Sequence, residues 1–203
     1  METLQNLSVK IFFKNNSLPA PVNTFHKLFN QWIRDWPEEI WVDVADYSHL
    51  YHGPVMVLVA HDANYSLDAE EGRPGLIYSR KTQLSLGSSA EVMQHSILKA
   101  LFAAQKLANE PDLKGGLAFK GEELELQLNN RYLSGEMPDP ALELKSAVEP
   151  LLPILYGNNK VSFSQGQNPK KRVRLNISVS PAYSIHSMLS SFKVHTGVAA
   201  IKA

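Results

Sequence analysis

Residues Asp43–Lys81 read DVADYSHLYHGPVMVLVAHDANYSLDAEEGRPGLIYSRK, and the parity of side chains in this stretch decides the fold. Val55 to Ala60 is apolar on both faces, as a covered strand is. From Asp62 onward the polar residues Asp62, Asn64, Ser66 and Asp68 alternate with Ala63, Tyr65 and Leu67, the period of a strand with one polar face. The expectation is one long strand over 55–68, bent near Ala60. The run EEGRPG then supplies a turn, and Leu76 to Gln83 returns, so the stretch predicts a β-hairpin. Gly53-Pro54 breaks any ladder before it, which makes HLYHGP a loop.

Upstream, Ile40 to Ala45 (IWVDVA) predicts a strand. Val22, Phe25, Leu28, Phe29, Trp32, Ile33 and Trp36 recur three and four apart, the stripe of an amphipathic helix over 22–35. Pro37 ends it. Val9, Ile11 and Phe13 alternate with Lys10 and Lys14, so 8–14 predicts a strand, with Phe12 breaking the polar face.

Downstream, Ser88 and Glu91 have the spacing of a capping box. The Ala-, Leu-, Lys- and Gln-rich run to Asn109 predicts a helix, closed by Pro111 and Gly115-Gly116. Leu124, Leu126 and Leu128 alternate with Glu123, Glu125 and Gln127, giving a strand over 123–129. Asp139 followed by Pro140 is a favoured helix start. Pro150 and Pro153 should kink or shorten the helix over 140–156. Strands follow at 161–165 and 172–179. The tail from Ser180 is apolar and irregular, with a short helix around 185–192.

These elements predict an α+β fold, a mixed or mostly antiparallel sheet with three main helices. The order also suggests two related β-α-β-β halves. Residues 1–110 would hold the first half with its connecting helix, 117–180 the second, and 181–203 a C-terminal tail, all in one compact unit. Asn-Asn follows the first strand of each half, and proline precedes each helix.

The chain of 203 residues is 44% apolar and 20% charged, an ordinary globular composition. Lys+Arg and Asp+Glu balance at 20 each, so no net field attracts nucleic acid or acidic lipid. The absence of cysteine excludes disulfides, thiolate metal sites and Cys nucleophiles. No long apolar run predicts a membrane span, and no signal peptide is visible, so a cytoplasmic location and a bacterial style of protein are expected.

Candidate chemistry gathers in the opening stretch. Asp43, Asp46, His49 and His52 are the candidate catalytic group, because carboxylate and imidazole together can serve as an acid–base pair. His49, His52 and His61 are candidate metal ligands, the usual type where thiolates are missing. Strand-end aspartates and loop-capping histidines explain the same residues without chemistry. Asp62, Asn64, Tyr65, Asp68, Arg73 and Arg80 are candidate ligand-binding residues. A solvated sheet face and cross-strand ion pairs within the hairpin are the plain readings of these. His95 reads as a helix-surface or core-edge residue. Lys170, Lys171, Arg172 and Arg174 form a basic run without interleaved aromatics, more like a solvated hairpin tip than a nucleic-acid site. There is no Gly-rich strand-to-helix loop for a nucleotide cofactor and no G-x-S-x-G.

IWVDVADYSHLY, the following HGPVMVLVAHDANYSLDAEEGRPGLIYSRK and the preceding FHKLFNQWI resemble a family of bacterial proteins. That family carries VDVADY, HHGP and GRPGLLY-like stretches after an FHRWI-like helix. The resemblance covers the first half and implies no activity. The expected function is therefore a non-catalytic module that binds a small molecule or assembles with itself. The alternatives are a metal-dependent or acid–base, hydrolase-like enzyme using 43–62, and nucleic-acid binding through 170–174. No membrane partner is expected.

Overall fold

The computed structural model describes residues 4–50, 53–83, 87–113, 115–128, 139–166 and 172–196. The first part of the chain runs β1 (Leu7–Phe13), α1 (Val22–Asp35), β2 (Trp41–Asp46), β3 (Pro54–Ala60), β4 (Ala63–Asp68), β5 (Gly75–Arg80) and α2 (Ser89–Asn109). The second runs β6 (Phe119–Leu128), α3 (Pro140–Val148), α4 (Leu152–Tyr156), β7 (Val161–Gln165), β8 (Val173–Val179) and α5 (Ile185–Thr196). The strands form one eight-stranded sheet in the order β2-β3-β4-β5-β1-β6-β8-β7. Every neighbouring pair is antiparallel. The fold is α+β, as the alternation predicts; α5 falls where a short helix over 185–192 is expected, and the helix expected over 140–156 is divided into α3 and α4.

One expectation changes. The segment 55–68 is two strands, β3 and β4, and His61-Asp62 is the two-residue turn between them. Neither turn residue has a positive φ, so the Asn-Gly type of signal that marks a tight hairpin is missing from the sequence. Neighbouring groups brace this turn. His61 N–H donates to the Ile40 carbonyl at 2.8 Å, and Lys81 N–H donates to the Asp62 carbonyl at 2.9 Å.

β1 and β6 lie side by side at the centre. Each opens a strand–helix–hairpin run whose last strand returns to its flank, β5 to β1 and β8 to β6. The first run carries the extra hairpin β2–β3, so its unit is larger than β-α-β-β.

The helices gather on one face. α2 lies against β1 and β5, α1 against β2 and β3, and α3 against β8, while α5 packs on α2 and α4. The capping box forms: the Ser88 hydroxyl accepts from Glu91 N–H at 3.3 Å. Asp139 caps α3 by accepting from the N–H groups of Ala141 and Leu142. The prolines act as expected, and a 3-10 turn over Glu149–Leu151 separates α3 from α4.

Leu7, Val9 and Ile11 of β1, Leu124 and Leu126 of β6, and Tyr65 and Tyr78 face Phe25, Phe29, Trp32, Ile97 and Leu101 in one buried core. Full burial of each large apolar side chain stabilises the fold by about 1.5–3 kcal/mol. Two glycines are fixed by close backbone approach. A Cβ at Gly75 would sit 2.5 Å from the Ile11 carbonyl oxygen, and one at Gly121 would overlap the carbonyl group of Tyr183.

Candidate ligand-binding site

The face of the sheet opposite the helices carries the other parity of side chains. In register across the strands, one row runs Ser66, Ile77, Lys10, Glu125 and Asn176. The next runs Asn64, Ser79, Ser8, Gln127 and Arg174. The sequence predicts such residues to be solvated. Instead Lys10, Glu125 and Gln127 are only 3%, 4% and 2% exposed, and Ser8, Ser66 and Asp68 are buried with them.

The turn between β4 and β5 contributes to this burial. Its charged side chains do more than pair across the hairpin. They reach across the sheet to strands of the second half. Arg73 Nη2 donates to Glu123 Oε2 at 2.9 Å, and Nη1 donates to Asn176 Oδ1 at 3.4 Å. The Arg73 guanidinium also lies 4.0 Å from the centre of the Phe12 ring, a cation–π contact. Arg174 Nη2 donates to Glu70 Oε2 at 2.5 Å, and its Nη1 lies 3.3 Å from Glu71 Oε2. The turn is thus a strap over the face opposite the helices. Glu71 and Gly72 take positive φ within it. Lys10 Nζ beneath it is paired with Asp68.

Burial works against charge on Arg174. The carboxylates of Glu125, Glu70 and Glu71 outweigh that and hold its pKa above the ordinary value.

Three buried atoms of the second row have no hydrogen-bond partner among the described residues: Asn64 Oδ1, Gln127 Oε1 and Arg174 Nε. The orientation of the Gln127 amide is fixed, because its Nε2 donates to Glu125 Oε1 at 2.6 Å and a carboxylate only accepts. Its oxygen is therefore the free end. A buried acceptor left unpaired costs about 1–3 kcal/mol, a cost that a ligand can remove.

The candidate residues divide among several places. Asn64, Asp68 and Arg73 belong to the face opposite the helices, together with Arg174 from the basic run. Arg174 is a paired, largely buried strand residue and not a hairpin tip, while Arg172 is exposed. Lys170, Lys171 and His52 lie outside the described residues. Asp43 is exposed at the edge strand and accepts from Val44 N–H at 2.8 Å. Asp46 accepts from Ser48 N–H at 2.8 Å. Its bonds to Ser48 lead in holding its carboxyl below the usual range, helped by the nearby His26 and His49.

His61 lies beyond the opposite end of β3 from Asp46. Its Nδ1 is 3.0 Å from Asp62 Oδ1, so the turn brings together two side chains that a continuous strand would point apart. Asp62 is held below the usual range by Thr82 first and then His61. Among the described residues no three His, Asp or Glu side chains stand close enough to hold a metal ion.

Tyr65 and Arg80 belong to a second group on the helix side. Tyr65 OH donates to Glu39 Oε1 at 2.9 Å, and Lys99 Nζ lies 3.1 Å from the same oxygen. Tyr78 OH lies 3.5 Å from His95 Nε2. Burial raises Tyr65 well above its ordinary value, and Tyr78 to about 12. Burial, with Lys99 and Arg80 nearby, lowers His95 to about 4. This group is internally paired and caps an aromatic run through Trp36, Trp41, Tyr65 and Tyr78.

Lys10, Glu125 and Gln127 carry no signal in the sequence that marks them as site residues. Their alternation with leucine and isoleucine looks like any solvated face, and the strap that covers them is fastened by residues distant in sequence. No helix of the described residues is long and apolar enough to cross a membrane. Comparison with protein-family models, with curated proteins and with solved structures found no match.

Proposed function

We propose that this protein is a non-catalytic binding module that holds a small polar molecule among the buried polar side chains on the face of its sheet opposite the helices, beside the 69–74 strap. One observation carries the reading. The Gln127 amide oxygen is buried, fixed in direction by Glu125 and left without a partner among the described residues. It lies in a row of hydrogen-bonding side chains, Asn64, Ser79, Ser8 and Arg174. Such a row suits recognition, since a few placed polar groups fix a ligand's orientation. A metal or acid–base centre in 43–62 has weaker support, because Asp43 and Asp46 spend carboxylate oxygens on neighbouring backbone N–H groups.

The test is a thermal-shift screen of polar metabolites against the wild-type chain and Gln127→Met. Compounds that raise the wild-type Tm by several degrees and leave the variant unmoved support the reading. A screen in which no compound shifts the wild type sinks it.

Self-association is a second reading, favoured by Ile40 and Val42, which are 72% and 62% exposed at edge strand β2. Asp43, which occupies the Val44 N–H, and a register shift between Trp41 and Asp43 blunt that edge. A chain that stays monomeric in sedimentation at high concentration would remove this reading.

A further inference from the structure

We infer that the molecule bound on the face opposite the helices is neutral and presents an N–H donor beside a carbonyl acceptor, as an amide, a lactam, a cyclic urea or a nucleobase edge does. This rests on the binding reading above and narrows it to a ligand class.

Gln127 and Arg174 are direct cross-strand partners on β6 and β8. Residues so paired have Cβ atoms about 4.5–5.5 Å apart. Each spends all but one of its side-chain polar atoms. Gln127 gives Nε2 to Glu125, leaving Oε1. Arg174 gives Nη2 to Glu70 and sets Nη1 against Glu71, leaving Nε. One free acceptor and one free donor therefore stand opposite each other on adjacent strands. A group with the complementary donor and acceptor side by side satisfies both at once.

Charge selects between neutral and ionic versions of that group. The charges around the pair lean acidic: Lys10 faces Asp68, Arg73 faces Glu123, and Arg174 faces both Glu70 and Glu71, with Glu125 a further buried carboxylate. An anion is therefore disfavoured, while a simple cation brings no acceptor for Arg174 Nε. Bringing a further net charge into a buried site carries a heavy desolvation cost without a new counter-ion. A neutral amide-type group carries no such cost. The Ser8 and Ser79 hydroxyls, 2.6 Å apart in the same row, offer a next contact along the strip.

The experiment is an NMR titration of the full chain with uracil, 2-pyrrolidinone and ethyleneurea, alongside glucose, glycine and inorganic phosphate. The expected result is saturable binding of at least one amide-type probe. The Gln127 side-chain amide resonances and the Arg174 Nε–H resonance should move with it. Arg174→Lys keeps a cation facing Glu70 and removes Nε, and it should weaken that binding at least tenfold. Gln127→Met should do the same. Should Gln127→Met fail to fold, Arg174→Lys and the wild-type resonances decide.

If the charged or sugar probes bind at Gln127 and no amide-type probe does, the ligand class is overturned and the binding reading stands. If amide-type probes bind with those resonances unmoved, the class is again overturned. If no probe and no compound of the broader screen binds, both readings fall.

Discussion

Arg174 on β8 donates to Glu70 in the β4–β5 turn at 2.5 Å across 104 residues of sequence, and it meets Glu71 at 3.3 Å with its other terminal nitrogen. This contact ties the turn of the first run to a strand of the second. Arg73 makes a second tie in the opposite direction, from the turn to Glu123 on β6 at 2.9 Å. Together the two guanidinium groups hold the strap over Phe12 and Lys10.

Arg174→Ala should therefore loosen the strap as well as lower stability. Removing one partner of a largely buried pair costs about 3–5 kcal/mol, and the partial exposure of Glu70 brings the expected loss to about 2 kcal/mol. Urea unfolding measures it, and hydrogen exchange at residues 69–74 should quicken. A loss below about 0.5 kcal/mol would mean the pair is a surface contact of the ordinary weak kind.

Lys10 and Asp68 form the more deeply buried pair. Lys10→Met alone should destabilise by about 3–5 kcal/mol, because it strands a buried carboxylate. Lys10→Met combined with Asp68→Leu should recover most of that, since a buried ion pair is often replaceable by apolar groups of similar volume. A double variant no more stable than the single one would contradict this account.

His95 predicts a pH dependence. Its folded pKa is about 4 against an ordinary 6.5, chiefly from burial. As pH falls through 6.5 the unfolded chain takes up the proton first, so stability is full above pH 6.5 and declines toward pH 4. Water at the rim of the half-buried ring screens the effect, leaving about 1–2 kcal/mol. His95→Phe should flatten that part of the profile, and a variant whose slope across the same window is unchanged would assign the slope to other groups.

Gly121→Ala should be among the most damaging single-methyl changes. The new Cβ would overlap the carbonyl carbon and oxygen of Tyr183. The segment carrying Tyr183 would have to move, breaking the bond from the Tyr183 hydroxyl to the Tyr156 carbonyl at 2.7 Å. A Tm drop of many degrees is expected, with α5 exchanging first. A variant as stable as wild type would show that this segment shifts freely.

Much of the architecture is legible from periodicity. The stripe from Phe25 to Trp32, the alternation from Leu124 to Leu128 and the Ser88–Glu91 cap each follow from local chemistry, and local chemistry decides them. The His61-Asp62 turn is not legible, because its residues lack the conformational signature of a hairpin turn and their bracing comes from Ile40, Lys81 and Thr82. The site is less legible still. Nothing local to Glu125 or Gln127 says that a turn far earlier in the chain covers that face. Asp68 and Arg73 are visible as polar residues of a hairpin, but their partners lie on β1 and β6.

The central place of β1 bears on how the chain reaches its native state. Val9 is flanked by Tyr78 on one side and Leu126 on the other, so β1 is bordered by strands synthesised much later. Neither edge of β1 can be closed during early translation, and closing such long loops is entropically slow. The nascent chain therefore carries an unpaired, largely apolar strand until β5 and β6 emerge, an aggregation hazard of the kind chaperones manage. Refolding of the isolated protein should be slow for its length, with protection at β1 appearing together with that at β5 and β6.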